Sequence, residues 1–129
     1  MLDARRQLLW VANELNSTVT TCRVDLSAHR IEALDSAALL PAGFAGASTA
    51  AGIVRRGDLL HVSNRGLDAV VSLRIDPRTG HATRVQTTST RGTTPRFITL
   101  AENNDSNHPE LPTTLYVVRI DEGPALGDM

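Results

Sequence analysis

A glutamate and an arginine occupy the same position in two copies of one repeated segment. Glu14 follows Val11-Ala12-Asn13, and Arg65 follows Val62-Ser63-Asn64, 51 positions later. A carboxylate can orient or deprotonate a water molecule, and a guanidinium group can hold an anion in a fork of hydrogen bonds. Repeat symmetry directs equivalent side chains to the same side, so the two residues are predicted to share one cleft.

The repeat extends well beyond these two residues. The segment 8–19 returns as 59–70, and Cys22-Arg23-Val24-Asp25 returns as Leu73-Arg74-Ile75-Asp76 at the same offset. A repeat of about 40–50 residues built from short strands is typical of a β-propeller, with one copy per blade. The 129 residues hold about 2.5 such copies, fewer than the ~4–8 blades of a closed propeller. We therefore expect an all-β partial β-propeller, with about two and a half blades of four-stranded antiparallel sheets.

The pattern within each copy predicts strands and turns. Apolar residues alternate with polar ones in 18–24 and more clearly in 69–75, as in half-buried strands. The sequence Asp76-Pro77-Arg78-Thr79-Gly80 predicts a tight turn, followed by an outer strand at 85–88. Cys22 takes the place of Leu73 and is expected to be a core residue rather than a reactive thiol.

These elements organise the chain as a fragment of one propeller domain covering residues 1–129. We expect blade-like repeats at about 8–54 and 59–100, and a damaged third repeat at 95–121. The segment 36–48 predicts an ordered loop between the first two repeats, since Pro41 and Gly43 interrupt it.

Composition and charge exclude several kinds of partner. The net charge is −1, which gives no electrostatic reason to expect binding to nucleic acid or to a membrane. All 13 basic residues are arginine, so Schiff-base chemistry and the P-loop lysine are excluded. The apolar run 8–12 is too short for a secretory signal or a membrane span, and we expect a cytoplasmic location.

The four histidines do not predict a metal site. His61 replaces Trp10 in the repeat, and His29, His81 and His108 are expected in turns or a polar loop. None has metal-ligand spacing to another histidine or to the cysteine. We expect neither a metal nor a cofactor.

Five short motifs carry a resemblance to a known family. In chain order, with blade spacing between them, they are VANELNSTV at 11–19, STAA at 48–51, LLHVSNRG at 59–66, RID at 74–76 with Thr79-Gly80, and GTTPRF at 92–97. Together they resemble the seven-bladed lactonase family of propeller-type 6-phosphogluconolactonases and the related carboxy-muconate cyclases. The resemblance covers roughly residues 6–100.

The resemblance implies a hydrolase whose central cleft binds a small anionic lactone. It places the cleft carboxylate on Glu14 and two cleft arginines on Arg65 and Arg96. Glu14 would then orient the attacking water, and the arginines would clamp the substrate's phosphate or carboxylate. Family members commonly carry an acidic residue and a histidine where this sequence has Gly52 and Val54, so two polar cleft positions are lost.

Each candidate residue also has a structural interpretation. Glu14 could be a solvated residue at a strand end, and Arg65 and Arg96 could pair with carboxylates or carbonyls between blades. Asn13 and Asn64 are candidate substrate-binding residues, but their recurrence favours a turn that ends each strand.

Two functions remain open at this point. One is a fragment of a lactonase, with the cycloisomerisation that forms a muconolactone as the related reaction. The other is a non-catalytic propeller remnant or interaction module, which could associate with itself through its open blade faces.

Overall fold

The protein consists of short antiparallel strands joined by tight turns and loops. The computed structural model describes residues 1–101, 106–107 and 114–119. It contains ten strands, which in chain order are β1 Leu2–Asp3, β2 Leu8–Asn13, β3 Thr18–Asp25, β4 Arg30–Ala38, β5 Thr49–Arg56, β6 Leu59–Arg65, β7 Ala69–Ile75, β8 Ala82–Ser89, β9 Pro95–Ala101 and β10 Thr114–Arg119. No helix within these ranges is long and apolar enough to cross a membrane.

The strands form three antiparallel sheets that do not close into a ring. The first sheet has the order β1-β2-β3-β4, the second β5-β6-β7-β8, and the third pairs β9 with β10. This confirms the all-β partial propeller. The sheet limits differ from the repeat limits, because most of β5 belongs to the first repeat of the sequence, whereas the strand begins the second sheet.

The core lies between the first two sheets and draws on both. It contains side chains such as Leu8, Trp10 and Val19 from the first sheet and Leu60 and Val71 from the second. Trp10 is fully buried, and its Nε1–H donates a hydrogen bond of 2.9 Å to the carbonyl of Gly80 in the turn between β7 and β8. Burial of this shared apolar surface holds the two blades together.

The third sheet packs on the second through β9, which contacts β5 and β6. At this contact β5 carries a bulge, because the pairs Ala50↔Asn64 and Ile53↔Val62 leave one extra residue on β5. Gly52 lies in the bulge, and a Cβ atom built there would be 3.1 Å from both Cγ1 and the backbone nitrogen of Ile98. Glycine therefore allows β9 to approach closely.

The structure confirms several local predictions from the sequence. The amide of Gly80 donates to the carbonyl of Asp76, which closes the predicted turn, and the outer strand falls within β8. Cys22 is buried and unpaired, as expected for a core residue. The proposed loop at 36–48 is shorter, since β4 continues to Ala38. The end of the third repeat and His108 lie outside the described residues.

Candidate functional site

The ends of two equivalent strands bring the predicted residues to one edge of the sheets. β2 ends at Asn13 and β6 ends at Arg65, and both strands lie second in their sheets. The backbone links these ends, because the amide of Ala50 at the start of β5 donates to the carbonyl of Glu14 over 3.2 Å. Thr49, the first residue of β5, pairs directly with Arg65 in the sheet.

Glu14 and Arg65 contact each other across the boundary between the sheets. Nη2 of Arg65 donates to Oε1 of Glu14 over 2.6 Å. The Glu14 side chain is 62% exposed, whereas that of Arg65 is 22% exposed. The Arg65 side chain is therefore the more restrained of the two, whereas the Glu14 side chain can move away into solvent.

Arg65 also retains unused hydrogen-bonding capacity. Its Nε atom is buried and has no acceptor among the described residues. A buried donor without a partner is unfavourable, and a guanidinium group supplies five donors in a planar fork. The site thus contains one exposed carboxylate and one guanidinium group that still has a buried, unsatisfied donor.

Asn64, the second-last residue of β6, links the first two sheets through its side chain. It is fully buried; its Nδ2 donates to Oγ of Ser17 over 3.0 Å, and its Oδ1 accepts from the amide of Leu67 over 3.3 Å. Ser17 in turn shares a hydrogen bond of 2.8 Å with Ser48. These contacts are those of a residue that ends a strand and joins two sheets.

Asn13, at the equivalent position of the first sheet, makes different contacts, which stay within that sheet. Its Nδ2 donates to the hydroxyl oxygens of Thr18 and Thr20, at 2.9 and 2.8 Å. A shallow depression of about 370 Å³ runs along the same turn and is lined by residues 12–16. Asn13 is half-buried there, so part of its surface remains accessible beside Glu14.

Arg96 lies at the same edge of the molecule but is not part of the ion pair. It is the second residue of β9 and is exposed. The amide of Thr94, just before β9, donates to Oδ1 of Asp68 in the turn after β6. This fixes the start of β9 beside the turn that follows Arg65, as the start of β5 is fixed beside Glu14.

The two positions at which the sequence departs from the family pattern lie on β5. Gly52 donates its amide to Oγ of Ser63 over 2.9 Å. An acidic side chain at this position would require β9 to move, because its Cβ atom would already crowd Ile98. Val54 pairs with His61 further along the strands.

The histidines do not form a metal centre in the described part of the chain, where no group of three or more potential ligands is found. His61 is half-buried, and its Nδ1 is 2.8 Å from Oγ of its cross-strand partner Ser72. Burial, and to a lesser degree the charge of Arg56, lower the pKa of His61. His29 lies in an exposed turn, and His81 follows the turn after β7.

Two residues important at this edge were not singled out from the sequence. Ser17 and Asp68 are 51 positions apart, and both have positive backbone φ angles, of 52° and 53°. Ser17 bonds to neighbouring sheets by its hydroxyl group, and Asp68 does so by its carboxylate. The repeat offset was the available signal, since it aligns two polar residues at the same turn position.

The fold defines a segment of a β-propeller, and at one edge of it a carboxylate and a guanidinium group are in contact. The sequence profile described as lactonase, 7-bladed beta-propeller matches residues 2–106. The chain therefore belongs to the seven-bladed β-propeller lactonase family, as the sequence motifs indicated.

Solved structures give the same fold. A periplasmic gluconolactonase from Pseudomonas aeruginosa is similar at 29% identity and a TM-score of 0.70, over 77% of this chain and 28% of that one. A protein from Lactobacillus plantarum is similar at 26% identity and the same TM-score, over 86% of this chain and 34% of its own length. The chain thus spans about a third of these structures. No protein of curated function matches it.

Proposed function

We propose that this chain forms part of the catalytic cleft of a propeller that hydrolyses a sugar-acid lactone. The observation that carries this proposal is the contact between Glu14 and Arg65, two residues at equivalent repeat positions at one edge of adjacent sheets. Membership of the lactonase family and the similarity to a gluconolactonase supply the reaction class.

The chemistry of lactone opening suits these groups. Water adds to the lactone carbonyl, the ring C–O bond breaks, and the products are a hydroxyl group and a carboxylic acid that releases its proton. Glu14 would orient the water and take its proton, once its carboxylate leaves Arg65. Arg65 would then bind the anionic group of the substrate, and a phosphate in 6-phosphogluconolactone is well suited to a guanidinium fork.

Arg96 is proposed to complete this anion site. It is exposed, lies at the same edge, and has no hydrogen bond or ion pair with another described residue. Asn13 would contact the substrate through its accessible surface, whereas Asn64 would act by holding the strand end in place because its amide is already engaged.

A second candidate is a non-catalytic remnant or interaction module. Gly52 favours it, since the acidic residue common in the family does not fit there without displacing β9. The contact between Glu14 and Arg65 would then be only a link between blades.

We also propose that the chain associates with a second copy of itself. Phe97 and Val118 are directly paired in the third sheet, and both are more than half exposed, as is Tyr116 on the same face. The third sheet covers the second sheet through β9, whereas no described strand covers the face of the third sheet that carries these side chains. Burial of these side chains against another sheet is favourable by about 25 cal/mol per Å² of apolar surface.

The catalytic proposal is tested in a complete ring. Residues 1–101 of this chain would replace the aligned segment of the Pseudomonas aeruginosa gluconolactonase, and lactone opening would be followed by proton release. The substitution Glu14→Gln should lower kcat by about 100-fold or more, because a general base contributes ~10²–10⁴-fold. Unchanged turnover in this variant would remove Glu14 from the mechanism and favour the second candidate.

A further inference from the structure

A second cluster of arginines lies at the opposite end of the strands. Arg5, Arg6 and Arg55 line a depression of about 480 Å³ together with Asp3. Arg5 and Arg6 belong to the turn between β1 and β2, and Arg55 lies near the end of β5. Because β2 begins at this turn and ends at Asn13, the depression is a strand length away from Glu14. We call it the arginine pocket.

The arginine pocket is formed entirely by the first two sheets. Nη1 of Arg55 on β5 donates to Oδ2 of Asp3 on β1 over 2.9 Å. Nη2 of Arg6 donates in the reverse direction, from the first sheet to Oδ1 of Asp58 after β5, over 3.0 Å. All four lining residues lie in or between strands of these two sheets, and both sheets are described throughout.

The surroundings hold Arg55 in one orientation. Its Nε donates to the carbonyl of Gly57 over 2.8 Å, and its guanidinium carbon lies 5.0 Å from the centroid of the buried Trp10 ring. Together with the Asp3 contact, these interactions fix the plane of the group and leave Nη2 unassigned. A guanidinium group fixed in advance loses less conformational entropy when it binds a ligand.

Asp3 organises the pocket and does not neutralise it. Its carboxylate accepts from the amide of Arg6 at 3.1 Å and from Arg55. The backbone hydrogen bond from Arg6, followed by the hydrogen bond and charge of Arg55, lowers the pKa of Asp3, which therefore stays ionised at neutral pH. Even when Asp58 is counted with Asp3, three guanidinium groups face two carboxylates.

Arg5 supplies the guanidinium group that is not paired with a carboxylate. It is exposed and makes no hydrogen bond or ion pair with any other residue of the described ranges, while Arg6 and Arg55 each contact a carboxylate. Three guanidinium groups line the depression, and those of Arg6 and Arg55 are already paired with Asp3 and Asp58. With the free donors of Arg5, they can form a site for an oxyanion with several acceptor atoms. The volume of the depression falls in the range of small-molecule pockets, about 300–1,000 Å³.

We propose that the arginine pocket is a second anion site, which binds the phosphate group of a small phosphorylated molecule at the face opposite Glu14 and Arg65. The phosphate would take donors from Arg5, Arg6 and Arg55. This site is independent of lactone hydrolysis and would be present whether or not the chain takes part in catalysis.

The test is a titration of the full chain with inorganic phosphate and with phenyl phosphate, at constant ionic strength, followed by ¹H–¹⁵N NMR. The Nε–Hε signal of Arg55 and the amide signal of Arg6 should shift and saturate. Arg5→Gln should weaken binding about tenfold, equivalent to the loss of ~1.4 kcal/mol. The matched control Arg78→Gln, which removes an exposed charge from the turn after β7, should leave the affinity unchanged.

Any one of four results would overturn the proposal. The signals of Arg55 and Arg6 could fail to shift with up to about 20 mM of either probe. Arg5→Gln could bind as well as the unaltered chain, or Arg78→Gln could weaken binding equally, as general charge screening would. A parallel sedimentation with phosphatidic acid vesicles separates a lipid headgroup from a free phosphate ester. Binding to vesicles but to neither soluble probe would also contradict a small-molecule site.

Discussion

Arg65 donates a hydrogen bond of 2.6 Å to Glu14, the residue one repeat earlier in the chain. The two blades place an acidic and a basic side chain at the same structural position, so the repeat that builds the fold also brings the pair together. In this arrangement the Glu14 carboxylate accepts the hydrogen bond of Arg65 that the anionic group of a ligand would accept. An incoming anion must therefore displace Glu14, which is the more exposed partner.

The first prediction concerns this competition. Glu14→Gln should increase the affinity of Arg65 for a simple sugar-acid anion several-fold, because a tethered carboxylate competes at high effective concentration. Gluconate binding to the full chain, followed through the Nε–Hε signal of Arg65, measures this. Stability should fall by no more than about 1 kcal/mol, since the pair is partly exposed.

The matched control for Glu14→Gln is Glu32→Gln, which removes another exposed carboxylate on β4. It should leave gluconate affinity unchanged. Weaker gluconate binding by Glu14→Gln would show instead that the glutamate positions Arg65 and does not compete with the ligand.

The second prediction concerns Gly52 and the docking of the third sheet. Gly52→Ala should destabilise the protein by about 1–3 kcal/mol, because the new methyl group meets Ile98 at 3.1 Å. Ile98→Ala alone should cost roughly 2–4 kcal/mol through its cavity. The double variant should lose less than the sum, as measured by urea unfolding, because the removed side chain relieves part of the clash. Strict additivity would show that the two positions do not contact each other.

The third prediction is a pH dependence carried by His61. Burial lowers its pKa below the usual 6.5, so the unfolded chain binds the proton at a higher pH than the folded chain. Stability should therefore fall as the pH drops below about 6.5, until the folded pKa is passed. His61→Gln should remove this loss between pH 7 and 5, in urea midpoints measured at several pH values.

The control for His61 is His29→Gln, which changes a histidine in an exposed turn. It should retain the pH dependence of the unaltered chain. A dependence that persists in His61→Gln would assign the proton uptake to another group. The aspartates with lowered pKa values, such as Asp25 and Asp76, lose their contribution only as the pH falls below about 4.

The fourth prediction concerns self-association. Phe97→Ser should lower the fraction of associated chains at a given concentration. The substitution removes an apolar side chain that is more than half exposed on the open face of the third sheet. Val85→Ser, on the outer strand of the second sheet and also about half exposed, should have little effect. Light scattering over a concentration series measures both. A monomer at all concentrations would contradict the proposed association.

The sequence was sufficient for the two four-stranded blades and for the alignment of their residues. The 51-residue offset aligned Cys22 with Leu73, which occupy matching places in β3 and β7, and it aligned Glu14 with Arg65, which lie at the corresponding strand ends. The side-chain contacts between sheets could not be predicted from the sequence. The hydrogen bond from Trp10 to Gly80 and the ion pair of Arg55 with Asp3 join residues far apart in the chain, and no spacing rule predicts such partners.

The tight packing of Gly52 against Ile98 likewise depends on the bulge in β5. A bulge adds one residue to a strand without a distinctive sequence signal, so its position could not be foreseen. For Arg65, the sequence left a catalytic role and an inter-blade contact as alternatives. The structure shows the contact, and the role in catalysis stays a prediction.

The most direct test of the proposed function is the kinetic effect of Arg65 within a closed ring. In the ring that carries residues 1–101 of this chain, kcat/KM for gluconolactone 6-phosphate would be measured with Arg65 intact, with Arg65→Gln, and with Arg78→Gln as the control. We predict a loss of about 100-fold or more for Arg65→Gln alone, in the range found when one charged or hydrogen-bonding group is removed from a catalytic site. Equal kcat/KM values for all three monodisperse rings would contradict a role for this edge in lactone hydrolysis.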